Sequence, residues 1–218
     1  MMTVPREPEG TESRRPAPPG EGSPRRIEAL SDGIFAIVMT LIVLQIHVPS
    51  GPARDLVPAL ESLLPTLLTY LLTFVTLGML WFGNRTQSHF ISTADHPLVW
   101  LNLAFLGAIA LIPFSAALLS TYPTSRFAVI EYGAHLTVAS AIHGCIWLYA
   151  VAHPALLAAP LSPNYVRRSK VWTFAPAVGY ALGTGIGAIN PLAGIVLFAL
   201  VPVPFVTGIF YRGLARAQ

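Results

Sequence analysis

An all-α bundle of six membrane-spanning helices is the fold class that this 218-residue chain predicts, and three observations lead to it. Hydrophobic residues make up 54% of the sequence and charged ones 11%, and the mean hydropathy of +0.62 lies far outside the range of a soluble domain. Apolar stretches recur at approximately 31–48, 56–82, 97–121, 127–152, 171–189 and 192–211. Each is near the 20 or so helical residues that cross a hydrocarbon core of roughly 30 Å. They are too long and too continuously apolar to be strands of a closed barrel, the other structure that satisfies every backbone amide in lipid.

The third observation is the sorting of basic residues. Arg6, Arg14, Arg15, Arg25 and Arg26 precede the first span, Arg85 follows the second, Arg167, Arg168 and Lys170 lie between the fourth and fifth, and Arg212 and Arg216 end the chain. With six spans these eleven fall on one side, leaving Arg54 and Arg126 on the other. Basic loops stay in the cytoplasm, so both termini are expected there.

Residues 1–24, MMTVPREPEGTESRRPAPPGEGSP, hold six prolines and no apolar periodicity. They bury too little surface to offset the entropy of ordering, and read as a disordered cytoplasmic tail in front of one six-helix unit, 25–218. The tail is long, acidic in places and followed by no small-x-small cleavage pattern, which argues against a signal peptide. Cys145 is the only cysteine and falls inside the fourth span, where an intrachain disulfide is impossible and its default role is packing. The net charge of +3 reflects the cytoplasmic loops; no basic patch is interleaved with aromatics, so no nucleic-acid partner is expected, whereas membrane lipid is.

The first span has an internal order. Gly33, Ile37, Thr40, Leu41, Leu44 and Val48 recur at spacings of three and four, which places branched bulk and a single hydroxyl on one stripe of a helix. Such a stripe is commonly a packing face, and periodicity alone does not distinguish that from a functional lining. Charges stand directly before it: Arg26, Glu28 and Asp32, costly at a membrane boundary unless paired or solvated. Arg26 and Asp32 are six positions apart, too far for an i,i+4 pair, so Asp32 is expected to meet Arg26 of a neighbouring chain or a polar group on another helix. The plainer alternative makes Ser31 and Asp32 a helix cap, with Gly33 allowing close approach.

The string Arg26-Ile-Glu-Ala-Leu30-Ser31-Asp32-Gly33 resembles the R-x-x-x-F-S-D-G signature of the transmembrane protein 175 family of potassium channels, in particular its bacterial members. The resemblance runs on through IFAIVMTLIVLQIHVP, Trp81 and LNLAFLGAIALIPFSAALL at 101–119. Two departures stand out: Leu30 replaces the usual Phe, and Asn84 and Arg85 stand where members often carry a histidine pair. The resemblance implies a homotetrameric, potassium-permeable cation channel of the cell inner (plasma) membrane, its central pore lined by helix 1 of each subunit, with no cofactor beyond the permeant K+. On that basis Ile37, Leu41 and Leu44 would be hydrophobic constrictions and Thr40 a hydroxyl ring bearing on potassium preference. Arg26, Ser31, Asp32 and Gly33 would form the network that fixes helix 1 near the cytoplasmic entrance.

The remaining polar residues are expected to be structural. Gly179, Gly183 and Gly187 share one helix face and suit close packing. Thr184-Gly185-Ile186-Gly187 lacks the T-V-G-Y-G pattern of a carbonyl filter, and no phosphate loop is present. Glu61 and Glu131 read as solvated caps near the outer surface, and His89 and His96 as residues of a cytoplasmic loop. His135 and His143 lack further ligands at metal spacing, so no metal is expected. Trp81, Trp100, Trp147 and Trp172 read as interfacial anchors. No nucleophile, base and orienting group converge, so the chain is not expected to be an enzyme. The rival readings are a secondary transporter with Asp32 as coupling-ion site and a proton or non-selective cation leak; helix 1, lacking internal breaks beyond Gly33, argues against the transporter.

Overall fold

Caps and prolines decide where the helices of this chain begin. The computed structural model describes residues 24–50, 52 and 55–208, so all of the expected tail at 1–24 except Pro24 lies outside the described residues, as do Arg54, Arg212 and Arg216. The elements are α1 (Pro24–Leu41), α2 (Leu56–Glu61), α3 (Leu64–Phe90), α4 (His96–Thr121), α5 (Arg126–Ala152), α6 (Pro163–Gly187), α7 (Pro191–Leu200) and α8 (Val203–Val206). Asp95, Ser162 and Asn190 cap α4, α6 and α7 by accepting from the amides of Leu98 (3.0 Å), Tyr165 (3.2 Å) and Ala193 (3.2 Å). A proline follows each cap in the first helical turn, where its missing N–H costs nothing.

Several boundaries differ from those that hydropathy suggests. Helix α1 starts at Pro24, seven residues before the apolar run and inside the segment read as tail, because its first turns carry Arg25, Arg26 and Glu28 towards the boundary. Its α-helical part ends at Leu41 and continues as a 3₁₀ turn, Ile42–Gln45. The second span is α2 and α3, separated by Ser62 and Leu63, and α3 carries its polar end on to Phe90. His89 is therefore in the last turn of α3 and His96 opens α4; neither is a loop residue. The fifth span starts at Pro163 and the sixth ends at Leu200, before Pro202 and Pro204. Among the described residues four helical segments are long and apolar enough to cross a membrane: 24–45, 56–90, 96–121 and 126–152. Helix α6 is as long but diluted by Arg167, Arg168 and Lys170, and α7 with α8 is shorter.

Two sets of three helices make the bundle. Helix α1 packs on α3 and α4, α5 packs on α6 and α7, and the sets meet along α4 and α5. One core runs through both: Phe35 and Ile42, Leu77, Phe105 and Ile109, Tyr132, Tyr180 and Phe198 are all buried. Two tyrosine hydroxyls of the core pair internally, Tyr132 with Thr73 at 2.9 Å and Tyr180 with Thr76 at 3.2 Å, as a medium poor in water favours. The loops after α3 and α5 lie together at one end, where the Ser92 amide donates to the Leu156 carbonyl and the Ala158 amide to that of Phe90, each at 2.9 Å.

The four-residue glycine spacing in α6 is a packing face. A Cβ at Gly183 would stand 2.6 Å from the Phe198 ring, and one at Gly194 of α7 would stand 2.6 Å from the Gly187 Cα. The second obstacle is backbone and cannot rotate away. Gly194→Ala is therefore expected to push α7 off α6 and cost about 1–3 kcal/mol, measured by thermal unfolding in detergent. Gly185→Ala, where nothing lies within 4 Å, serves as the control and is expected to change stability by no more than about 0.5 kcal/mol.

Candidate functional site

Helix α1 buries one face and leaves the other bare. Ser31, Phe35, Val38 and Ile42, at steps of four, three and four, point into the chain. The opposite stripe carries Gly33, Ile37, Thr40, Leu41 and Leu44, all exposed, with Ile37 at 58% and Leu44 at 67%, whereas Val48, expected on the same stripe, lies beyond the helical turns that end at Gln45. The stripe is thus not a packing face within this chain. Gly33 likewise meets nothing: a Cβ there would have no atom within 4 Å. Ile37, Leu41 and Leu44 follow one another at about one turn, roughly 5–6 Å, along the axis. Thr40 commits its hydroxyl hydrogen to the Ile37 carbonyl at 2.8 Å, so what it offers its surroundings is an oxygen acceptor, the polarity a cation requires.

The buried face is held by polar bonds at both ends. Near the start, the Trp81 indole N–H of α3 donates to Asp32 Oδ1 at 2.8 Å, and the Ser31 hydroxyl lies 2.9 Å from the Ile27 carbonyl and 3.3 Å from Asn102 Oδ1 of α4. At the far end, Gln45 Nε2 donates to the Pro113 carbonyl of α4 at 2.6 Å. Asp32 meets a polar group on another helix, as one of the two expectations had it, and the cap alternative is corrected. Ser31 and Asp32 stand two turns inside α1, beyond the free amides of its first turn.

The other members of the charged stretch take separate places. Arg26 and Leu30 are exposed on α1. Asn84 is buried and lines a small cavity with Ile27 and Asn102, while Arg85 lies exposed with its guanidinium 5.9 Å from the centre of the Trp81 ring. Arg85 therefore stands beside the indole that donates to Asp32, and Asn84 shares its cavity with Asn102, which meets Ser31.

Elsewhere the structure corrects readings drawn from position in the sequence. Glu131 is no solvated cap: its Oε1 accepts from Ser115 at 2.8 Å and its Oε2 is buried, with His135 on the other side of the same hydroxyl. Trp147 is no interfacial anchor but a core residue, 2% exposed, donating to Ser169 at 2.9 Å. Cys145, expected to pack, is exposed on α5. Among the described residues no three His, Cys, Asp or Glu side chains converge as metal ligands. Sequence reasoning missed Asn102, Gln45, Ser115 and Asp95, which also accepts from the Tyr149 hydroxyl at 2.6 Å. Each is a polar residue within or beside an apolar run, and that is the signal that marks them.

Comparison with known proteins covers the same elements. A family model described as endosomal/lysosomal potassium channel TMEM175 matches residues 26–113, from the start of α1 into α4. A protein named as a potassium channel of Chamaesiphon minutus is 30% identical over 167 residues, covering 73% of this chain and 82% of that one. The endosomal/lysosomal proton channel TMEM175 of Homo sapiens is 28% identical over 228 residues, 90% of this chain but 45% of that protein. Among solved structures, a lysosomal potassium-selective channel TMEM175 homolog from Chamaesiphon minutus superposes with a TM-score of 0.76 at 24% identity, over 84% of this chain and 96% of that one, a likeness of fold.

The Trp81 contact sets a testable asymmetry. Trp81→Phe takes the indole donor from a half-buried carboxylate and is expected to cost about 1–3 kcal/mol, whereas Asp32→Asn keeps an oxygen that accepts from the indole and is expected to cost less. Unfolding in detergent measures both; a larger loss for Asp32→Asn would contradict the assigned bond.

Proposed function

The chain belongs to the TMEM175 family, and on that premise we propose that it is a potassium-permeable cation channel, a homotetramer whose central pore is lined by α1 of each subunit. The observation that carries this reading is the bare stripe of α1. A helix whose opposite face is fixed by Trp81, Asn102 and Pro113 presents Ile37, Leu41 and Leu44 to whatever lies outside the chain. Four such stripes around one axis would face each other and enclose a narrow apolar neck. Lipid covering that face would explain the apolar residues, but not the Thr40 oxygen set among them.

In this reading Ile37, Leu41 and Leu44 are the constriction. A neck ringed by branched aliphatic side chains expels water, and an ion does not pass without its shell, so slight widening opens it. Potassium, which sheds water at lower cost than sodium, is favoured at such a neck, and a Thr40 oxygen from each subunit supplies a partial replacement for the shell. Arg26, Ser31, Asp32 and Gly33 belong to the positioning of α1, with Asp32 and Ser31 acting within the chain and Arg26 and Gly33 turned outward, towards a neighbouring subunit. No cofactor is required, lipid surrounds the bundle, and the chemistry is passive conduction, not catalysis. Both termini are assigned to the cytoplasm of a cell whose plasma membrane holds the channel, since Arg25, Arg26, Arg85, Arg167, Arg168 and Lys170 share one end of the helices. That assignment takes α6 and α7 as the fifth and sixth spans.

A second reading, proton conduction, has one specific support: the human relative is named a proton channel. Both readings are separated by the reversal potential of the purified protein in planar bilayers under opposed potassium, sodium and proton gradients. Reversal near the potassium equilibrium potential is the expected result; reversal following pH favours the second, and flux only when a second ion gradient is imposed points to a transporter. Ile37→Asn is expected to wet the neck, raising conductance several-fold and moving the reversal potential towards zero, and unchanged currents would remove Ile37 from the constriction. Asp32→Ala is expected to reduce the tetramer fraction in size-exclusion chromatography or the open probability, with the reversal potential of the remaining current unaltered. A normal tetramer with normal flux would refute the positioning role.

A further inference from the structure

Ser115 of α4 and Glu131 and His135 of α5 meet in the half of the bundle away from the start of α1. The Ser115 hydroxyl lies 2.8 Å from Glu131 Oε1 and 2.5 Å from His135 Nδ1, and His135 Nε2 lies 2.9 Å from the Ala108 carbonyl oxygen. A carbonyl only accepts, so Nε2 carries a hydrogen. A neutral imidazole with Nε2–H has a bare Nδ1, which only accepts, and so does an ionised carboxylate. Ser115 then has one hydrogen for two acceptors. The cluster is one proton short.

A single added proton completes it in either of two ways. On Nδ1, it lets the imidazolium donate to Ser115 and Ser115 donate to the carboxylate; on the carboxyl, it lets Glu131 donate to Ser115 and Ser115 donate to Nδ1. Glu131 Oε2 adds to the demand, because it is buried with no partner, and an ionised carboxylate deprived of water and donors is costly. We infer that Ser115, Glu131 and His135 form a proton-binding site in which one proton is shared by the Glu131–His135 pair across the serine hydroxyl. The proton belongs to the pair and not to either residue.

Among the described residues no other ionisable side chain is bonded to the cluster. Helix α5 packs on α3, α4, α6 and α7. In the corresponding half, α4 from Ala108 to Thr121 and all of α7 have no ionisable residue, α3 offers Tyr70, and α6 offers Tyr180, which is engaged with Thr76. Helix α5 itself adds Arg126 in its first turn, Tyr132, engaged with Thr73, and His143 two turns beyond His135. His47, Asp55 and Glu61 lie on the connection between α1 and α3. The site sits two residues from Pro113, whose carbonyl holds Gln45 and with it the far end of α1. Loss of the proton therefore weakens the hold of α4 on α5 next to that attachment.

The test needs no current, so its outcome is independent of the channel reading. A folded state that holds one proton more than the unfolded chain loses stability as pH rises, its folding constant falling up to tenfold per pH unit relative to a chain lacking the site. Equilibrium unfolding of the full chain in detergent between pH 7 and 9 measures that slope. In Glu131→Gln the side-chain amide donates to Ser115 and completes the chain without a proton, and in His135→Gln the serine hydrogen has only the carboxylate to serve. Both variants are expected to lose the slope, whereas His47→Gln, outside the cluster, is expected to keep it. If Glu131→Gln fails to fold, His135→Gln carries the comparison. Slopes equal to wild type in the variants, or no slope in wild type, would overturn the site.

Discussion

The indole of Trp81 on the carboxylate of Asp32 is the contact on which the placement of α1 depends. A carboxylate two turns inside a membrane-facing helix needs a donor, and the helix turns so that Asp32 reaches the one α3 provides at 2.8 Å. Once Asp32 is set, the helical period fixes the rest: Ser31, Phe35, Val38 and Ile42 face inward, and Ile37, Leu41 and Leu44 face away. Gln45 holds the other end to the Pro113 carbonyl, so the helix is constrained in rotation at two points about 20 Å apart by helical rise. The bare stripe is a consequence of where the polar bonds are.

That economy extends across the bundle. Two tyrosine hydroxyls in the core have threonine partners on α3, Trp147 has Ser169, and Asp95 serves both the first amides of α4 and the Tyr149 hydroxyl. Each bond joins two helices or fixes a helix end, and where water is scarce such bonds select one arrangement among many apolar packings. Glycine contributes by the opposite route. Gly187 and Gly194 let the backbones of α6 and α7 touch, and Gly183 makes room for the Phe198 ring, so dispersion contacts replace polar bonds there.

The two halves of the molecule divide the work accordingly. Helices α1, α3 and α4 hold the residues matched by the family model and carry the bare stripe, while α5, α6 and α7 form the packed support against which α4 rests. Ser115 and Pro113 stand on α4, the helix common to both sets, one facing α5 and the other holding α1. A change on the α5 side is therefore two residues from the attachment of α1.

The sequence by itself determined the class, most helix positions, the periodic stripe on the first span and the glycine face of α6, because each depends on local composition or on the helical repeat. Hydropathy placed the start of α6 too late, because the helix begins at the Ser162 cap and carries Arg167, Arg168 and Lys170 before its apolar run. Whether the stripe packed or stood bare was not legible, since the same spacing of three and four serves either end. Only the tertiary structure decided it, by bringing Trp81, 49 residues away, to Asp32. Glu131 read as solvated and Trp147 as interfacial for the same reason: depth along a chain can be counted, but which helix supplies a partner depends on how the helices rotate against each other. That rotation is set by polar contacts between residues distant in sequence.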